Sequence, residues 1–230
     1  MKKILMILTS HQDMEYTTNK TGVWLGEFTE PYYEFVDKGY EVVLASPEGG
    51  EPPIDPMSKM TVHMTGSNRR FQEDKIGQIK FENTLKLEEV NVAEFDSLFI
   101  PGGHGPIWDL ATNATSGQII LDFLSAHKPV GAVCHGTAAL IKAAEFQPGL
   151  LTGKRVTGFT NTEEAWFMRS DNVPYKLQTR LKGLGADFHS ALVPFSSHVE
   201  KDGLLITGQN PVSAGPTAKA VLKALEAVHA

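Results

Sequence analysis

Short apolar runs alternate along this chain with longer amphipathic segments, and this alternation limits the folds that are open to it. Several of the runs are continuously apolar, which is typical of strands whose two faces are both covered by helices. The pattern therefore predicts an α/β fold with an open, mostly parallel sheet and helices on both faces. The predicted strands are Ile4–Thr9, Glu41–Ser46, Ser97–Ile100, Val130–Val133, Val156–Phe159, Asp187–Leu192 and Leu204–Thr207.

The segments between these runs have the length and patterning of helices. We expect Pro31 to break or kink the first of them, because proline cannot donate the helical hydrogen bond. The tract 49–80 is rich in Pro, Gly and polar residues and has no clear period, so it is interpreted as an insertion at the rim of one domain that spans 1–230. The predicted helices are Thr21–Lys38, Gly117–His127, Thr137–Phe146, Thr162–Arg169, Val173–Leu184 and Pro211–His229.

Composition excludes several classes of protein. The net charge of −6 gives no electrostatic reason to expect nucleic-acid binding. No apolar stretch approaches the ~20 residues that span a membrane, and the short run after the first two lysines fits a strand better than a signal peptide. A single cysteine cannot form an internal disulfide, so the sequence predicts a cytoplasmic protein.

That cysteine, Cys134, lies where a buried strand should end and a helix begin. Ala132 and Gly136 stand two residues to either side, and this small-x-nucleophile-x-small spacing is typical of a nucleophile elbow. The N-terminus of the helix should favour the thiolate and lower the pKa of the cysteine. The alternative is a buried structural cysteine that packs as a small apolar side chain.

A second candidate site follows the predicted strand Ser97–Ile100, in the run Pro101-Gly102-Gly103-His104-Gly105. Glycines let the backbone approach a ligand closely and turn N–H groups towards it, which suits an oxyanion hole. The alternative is an ordinary turn between a strand and a helix.

Three carboxylates complete the candidates. Glu27 lies among the apolar residues of "GVWLGEF", where burial would raise its pKa and make it a proton donor. Glu163 and Glu164 follow Asn161 at a predicted helix start, where Asn161 can cap and acidic residues favour the helix dipole. We expect capping to be the role of Glu163.

No metal site is predicted, because the histidines show no H-x-x-x-H spacing and the cysteine has no partner. A serine hydrolase is not favoured either, since G-x-S-x-G does not occur.

Taken together, "TGVWLGEFTEPYYEF", "FIPGGHG", "AVCHG", "RVTGFTNTEE" and "LLITGQNPVSA" resemble the ThiJ/PfpI superfamily, within the class I glutamine amidotransferase-like proteins. The last two motifs are similar to the branch of heat-shock chaperones with glyoxalase III activity. The resemblance covers nearly the whole chain and implies a flavodoxin-like three-layer sandwich.

The resemblance also implies roles for residues. Cys134 would be the nucleophile, Glu27 the acid beside the thiol, and His135 and Glu164 the remaining triad members. Gly103 and His135 would supply the oxyanion-hole amides. Candidates for the substrate pocket are Gly102, His104 and Trp166, with Trp108 and Phe167 as further aromatic candidates whose alternative role is core packing.

The activity implied is the cofactor-independent conversion of methylglyoxal, or a related 2-oxoaldehyde, to a 2-hydroxy acid without metal or glutathione. The resemblance leaves open a cysteine-dependent peptidase, amidase or protein deglycase, and a redox-sensing holdase chaperone. It implies a homodimer as well. The sequence offers no nucleic-acid or membrane partner.

Overall fold

A seven-stranded sheet forms the centre of the protein, and its strands are ordered β3-β2-β1-β4-β5-β9-β8. The computed structural model describes residues 2–15, 17–167 and 172–228. Every pairing in this sheet is parallel except that of β8 with β9. A separate parallel pair joins β6 to β7. The strands are β1 (Lys3–Ile7), β2 (Glu41–Ser46), β3 (Leu85–Lys86), β4 (Ser97–Ile100), β5 (Val130–Val133), β6 (Arg155–Val156), β7 (Asp187–Phe188), β8 (Val199–Asp202) and β9 (Leu205–Gly208).

Helices cover both faces of the sheet and complete a flavodoxin-like three-layer sandwich, which confirms the predicted fold class. Helix α1 packs against α8, and α4 packs against α5. None of the helices in the described ranges is both long and apolar enough to cross a membrane. The helices are α1 (Leu25–Val36), α2 (Gly66–Glu73), α3 (Lys75–Glu82), α4 (Ala114–Ser125), α5 (Ala139–Phe146), α6 (Asn161–Trp166), α7 (Leu177–Gly183) and α8 (Ala214–Val228). Short 3-10 helices occupy Pro56–Lys59, Thr61–His63, Leu87–Glu89, Val92–Glu94, Gly105–Ile107, Cys134–Ala138 and Pro211–Ser213.

Pro31 does not break the first helix, because α1 runs through it from Leu25 to Val36, and the alternative of a kink stays a prediction. Pro31 itself is buried, as are Phe28, Tyr32 and Phe35. Apolar burial of this extent outweighs the ~3 kcal/mol that a proline costs inside a helix.

The tract 49–80 has more regular structure than its composition indicates. It contains α2 and most of α3, whose Phe71 and Phe81 rings lie 5.4 and 5.0 Å from the ring of Phe28. The tract thus packs on α1 and brings His63 to within 4.9 Å of Trp24, measured between ring centroids. That it is an insertion into a single domain stays a prediction.

The edge of the sheet at the carboxyl ends of β1, β4 and β5 positions the candidate site. β1 pairs with β2 on one side and β4 on the other, so the chain order reverses between β1 and β4. Open α/β sheets bind ligands in the crevice at such a reversal. The segments that leave these three strands carry Glu27, Gly102 and Cys134 respectively.

Candidate active site

Cys134 occupies a sharp turn between β5 and the 3-10 helix Cys134–Ala138 that leads into α5. Its φ is +56°, a left-handed conformation that is rare for a residue with a side chain and typical of functional turns. The Thr137 hydroxyl donates to the Cys134 carbonyl at 2.8 Å and holds the turn. A Cβ at Gly136 would lie 2.4 Å from the Ile100 carbonyl oxygen, so only glycine fits there. This is the geometry of the nucleophile elbow that the spacing predicts.

Glu27 is fully buried in the first turn of α1, beside Cys134. Its Oε2 atom accepts a hydrogen bond of 2.9 Å from the Gly102 amide. The Gly102 carbonyl in turn accepts one of 3.0 Å from the Trp24 amide, which fixes the start of α1 against the loop after β4. A Cβ at Gly102 would lie 2.5 Å from Glu27 Oε2 and 2.9 Å from Cys134 Cβ. Gly102 therefore leaves the space in which the carboxyl and the thiol meet.

The Glu27 carboxyl and the Cys134 thiol form a coupled buried pair. Burial raises the pKa of Glu27 from 4.5 to about 8, and the interaction with Cys134 offsets only part of that rise. The other carboxyl oxygen, Oε1, is buried and makes no hydrogen bond of ordinary geometry within the described chain. Glu27 is therefore protonated at neutral pH, as its apolar neighbours predict.

The pKa of the Cys134 thiol is itself raised well above its usual value, first by burial and then by the nearby Glu27 carboxylate. The backbone amide of His135 acts in the opposite direction but does not reverse the shift. The lowered thiol pKa expected from a helix N-terminus is thus wrong, because desolvation of a buried sulfur outweighs the helix dipole.

His135 connects the thiol to Glu164. Its Nδ1 atom lies 3.4 Å from Cys134 Sγ, and its Nε2 atom lies 2.6 Å from Glu164 Oε2. The second carboxylate oxygen of Glu164, Oε1, pairs with His104 Nε2 at 2.8 Å. All four residues are buried. The sequence-based candidates Cys134, His135 and Glu164 are therefore in one hydrogen-bonded row, and His104 joins it from the loop after β4.

The charge of Glu164 decides the proton positions in this row. Burial alone would raise its pKa, but the two histidines hold the pKa of this carboxyl well below its usual range. An ionised carboxylate only accepts hydrogen bonds, so both histidine Nε2 atoms donate to it. Nδ1 of a neutral His135 is then unprotonated and faces the thiol, which is the arrangement of a general base.

Glu163 has a different role from its neighbour. The cap of α6 is Thr160, not Asn161 as expected, and Glu163 completes a capping box with it. Its Oε1 atom also accepts hydrogen bonds of 2.8 Å from the Phe195 amide, Gln209 Nε2 and Asn210 Nδ2. The capping role expected for Glu163 is present, and the link to these distant segments has no signal in the local sequence.

A small chamber surrounds the sulfur, with a volume of about 10 Å³. The residues predicted to form the substrate pocket have different positions relative to this chamber. His104 lines the chamber, whereas the Gly102 amide is bound to Glu27. Trp166 is 70% exposed and is not in the described lining of the chamber, although its ring lies 6.1 Å from that of Phe195, so its pocket role stays a prediction; Phe167 lies in the wall. Trp108 stacks on His11, with ring centroids 4.9 Å apart. The described lining is Trp24, Glu27, Gly103, His104, Cys134, His135, Phe159, Phe167 and Pro211.

One cluster in the described ranges has the residue types of a metal site. Ligand atoms of His104, His135 and Glu164 lie within 4.8 Å of one another. Both Nε2 atoms are already at hydrogen-bond distance from the carboxylate, so internal hydrogen bonds account for the cluster.

These features define a class of protein: flavodoxin-like α/β proteins that hold a buried cysteine on an elbow after a central strand, with an adjoining histidine. The chain belongs to the DJ-1/PfpI family, which it matches over residues 3–224. This confirms the family indicated by the motifs.

Two curated relatives are similar over nearly their whole length. Glyoxalase 3 of Candida albicans is 30% identical over 98% of this chain and 99% of its own. The glutathione-independent glyoxalase HSP31 of Saccharomyces cerevisiae is 30% identical over 98% of each.

Solved structures agree with the fold. The Rapid Encystment Protein 24 KDa of Francisella tularensis has a TM-score of 0.92 and 39% identity, covering 98% of this chain and 99% of its own. Glyoxalase III from Candida albicans has a TM-score of 0.86 and 28% identity, covering 97% of each chain.

Proposed function

We propose that this protein is a glutathione-independent glyoxalase that converts methylglyoxal, or a related 2-oxoaldehyde, to the 2-hydroxy acid. The observation that carries the proposal is the pair of proton carriers on either side of one thiol. His135 Nδ1 lies 3.4 Å from the sulfur, and Glu27 is protonated at neutral pH beside it. The names of the two similar glyoxalases support the same activity.

The reaction begins with attack of the Cys134 sulfur on the aldehyde carbon. The thiol proton passes by way of His135 to the aldehyde oxygen, and a hemithioacetal forms. The amides of Gly103 and His135 stabilise the oxyanion of that step. Burial keeps bulk water away from this charge.

The next step moves a proton between the two carbons. The aldehyde carbon loses its proton to His135, an enediol forms, and the former keto carbon receives a proton in return, with Glu27 as the second proton carrier. The aldehyde carbon is thereby oxidised to a thioester while its neighbour is reduced to an alcohol. Water then cleaves the thioester, which releases the hydroxy acid and the thiol. The redox change is internal to the substrate.

Lactate formation tests this proposal directly. Purified protein is mixed with methylglyoxal without glutathione, and D- and L-lactate are measured against a Cys134→Ala variant whose circular dichroism matches the wild type. We expect lactate from the wild type alone. Equal lactate from both proteins, or none from either, would overturn the proposal.

A peptidase, an amidase and a redox sensor need the same access to the buried sulfur as an aldehyde does. The names of the two similar full-length relatives favour the aldehyde reaction over these alternatives. The homodimer and the cytoplasmic location remain predictions, which analytical ultracentrifugation and cell fractionation would check.

A further inference from the structure

A much larger cavity lies beside the chamber around Cys134. The outer cavity has a volume of about 340 Å³, against about 10 Å³ for the chamber. The two share walls formed by Trp24, Phe167 and Pro211. A substrate that extends past these three residues would occupy both spaces.

The size of the chamber limits what can enter it. A volume of about 10 Å³ corresponds to roughly one water molecule, so it admits the reacting aldehyde group and little else. The rest of a substrate bound at the sulfur must extend past Trp24 and Phe167 into the outer cavity.

The outer cavity is suited to an apolar group. Its aromatic side chains meet edge-on or tilted, with ring centroids 5.9 Å apart for Trp24 and Phe167 and 5.7 Å apart for Phe167 and Phe195. Its other described lining residues are His63, Asn210 and Val212, so the described wall has no carboxylate, lysine or arginine.

Two residues of this wall are held by one buried carboxylate. Glu163 Oε1 accepts hydrogen bonds of 2.8 Å from the Phe195 amide and from Asn210 Nδ2. Phe195 has a φ of +61°, a strained conformation that persists only where surrounding contacts enforce it. The backbone at Phe195 and the Asn210 side chain are therefore held in position by the fold, which lowers the entropy lost when a ligand binds against them.

We propose that the outer cavity is a binding subsite for the keto-side substituent, and that the preferred substrates are 2-oxoaldehydes bearing an aromatic or bulky apolar group. This inference rests on the proposed glyoxalase function and adds its substrate class.

The test compares kcat/KM for phenylglyoxal and methylglyoxal in the wild type, in Phe195→Ala and in Leu192→Ala. Leu192 precedes Phe195 by three residues and is fully exposed, so its variant is the matched control. We expect the wild type to prefer phenylglyoxal by about tenfold or more, the scale on which apolar pockets discriminate. Phe195→Ala should reduce this preference at least about fivefold, and Leu192→Ala should keep it.

A second measurement needs no variant. Acetophenone has the aromatic group but no aldehyde, so it should inhibit methylglyoxal turnover competitively, whereas acetone at the same concentration should not. Methylglyoxal turnover with no preference for phenylglyoxal and no inhibition by acetophenone would overturn the subsite and leave the glyoxalase function standing. Absence of turnover with both aldehydes would instead overturn the glyoxalase function, and the substrate class with it.

Discussion

The His104 and His135 rings lie with centroids 4.0 Å apart, and each pairs with a different oxygen of Glu164. One histidine comes from the loop after β4 and the other from the elbow after β5. A single carboxylate thus sets the orientation of the imidazole beside the thiol and of a second one that lines the chamber.

Substitutions of His135, Glu164 and His104 should lower kcat by different amounts. His135→Ala removes the proposed base and should lower kcat by ~10² or more. Glu164→Gln should cost less, because the carboxylate acts on the substrate only through His135. His104→Gln should have the smallest effect, since His104 pairs with Glu164 Oε1 whereas the proposed base His135 pairs with Oε2. Steady-state rates with methylglyoxal check this order, and a Glu164→Gln enzyme as inactive as Cys134→Ala would contradict the assigned roles.

Glu27→Gln should separate thiol reactivity from turnover. Glutamine keeps the shape and a hydrogen-bond donor but cannot carry a proton between carbons, so lactate formation should fall by ~10² or more. Cys134 should still be alkylated by iodoacetamide, which mass spectrometry of the intact protein would follow. Loss of alkylation together with turnover would mean that Glu27 acts on the thiol and not on the substrate.

Gly102→Ala should disrupt the contact between Glu27 and Cys134. The added Cβ would lie 2.5 Å from Glu27 Oε2 and 2.8 Å from the Val133 carbonyl oxygen, so the carboxyl must move. Overpacking of this kind costs ~1–3 kcal/mol of stability, and turnover should fall at least about tenfold. Gly66→Ala is the matched control, because a Cβ there meets nothing within 4 Å. Melting temperature and kcat measure both effects, and equal behaviour of the two variants would refute the argument.

The pH dependence of stability should report the protonated state of Glu27. A carboxyl whose pKa is raised from 4.5 to about 8 binds a proton in the folded protein that the unfolded chain has lost. Its stabilising contribution is fully present below pH 4.5 and is lost as the pH rises to about 8.

Thermal unfolding should show this dependence in a Cys134→Ala background, where the coupled thiol no longer titrates. Adding Glu27→Gln should flatten the fall in melting temperature between about pH 4.5 and 8. Glu226→Gln, at an exposed position of α8, should leave it unchanged. An equal slope with and without Glu27 would show that the carboxyl is not protonated in the fold.

The sequence predicts those parts of the fold that depend on local pattern. Ser97–Ile100 and Val130–Val133 are buried runs, and their bounds agree with the structure. The strand Val199–Asp202 was missed because its residues are mostly polar and it pairs only at the sheet edge. Gly203 is the available signal, since it takes the first of the two turn positions between Asp202 and Leu205, where glycine is typical of a two-residue hairpin.

Two further predicted strands are longer than the strands in the structure. Strands predicted at Val156–Phe159 and Asp187–Leu192 shorten to β6 and β7, which pair only with each other. The predicted helix ends Arg169 and His229 lie outside the described residues.

Those features of the candidate site that depend on residue type and local spacing could be predicted from the sequence. The elbow at Cys134 and the burial of Glu27 are local features, and both are present. The thiol pKa and the exposure of Trp166 depend on tertiary packing, which no spacing encodes. The link from Glu163 to Phe195 joins residues 32 positions apart and could be found only in three dimensions.

β5 lies between β4 and β9, and this position affects the order in which the strands can pair as the chain folds. β9 is made long after the cysteine, and until it pairs with Val130–Val133 the strand that ends at Cys134 is a sheet edge. Contacts of such sequence separation form slowly, and domains assemble as their chain leaves the ribosome. The sheet beside Cys134 is therefore completed by one of the last segments of the chain to be made, and Pro211, which follows β9, lines the chamber. The surroundings of the thiol depend on residues made long after it.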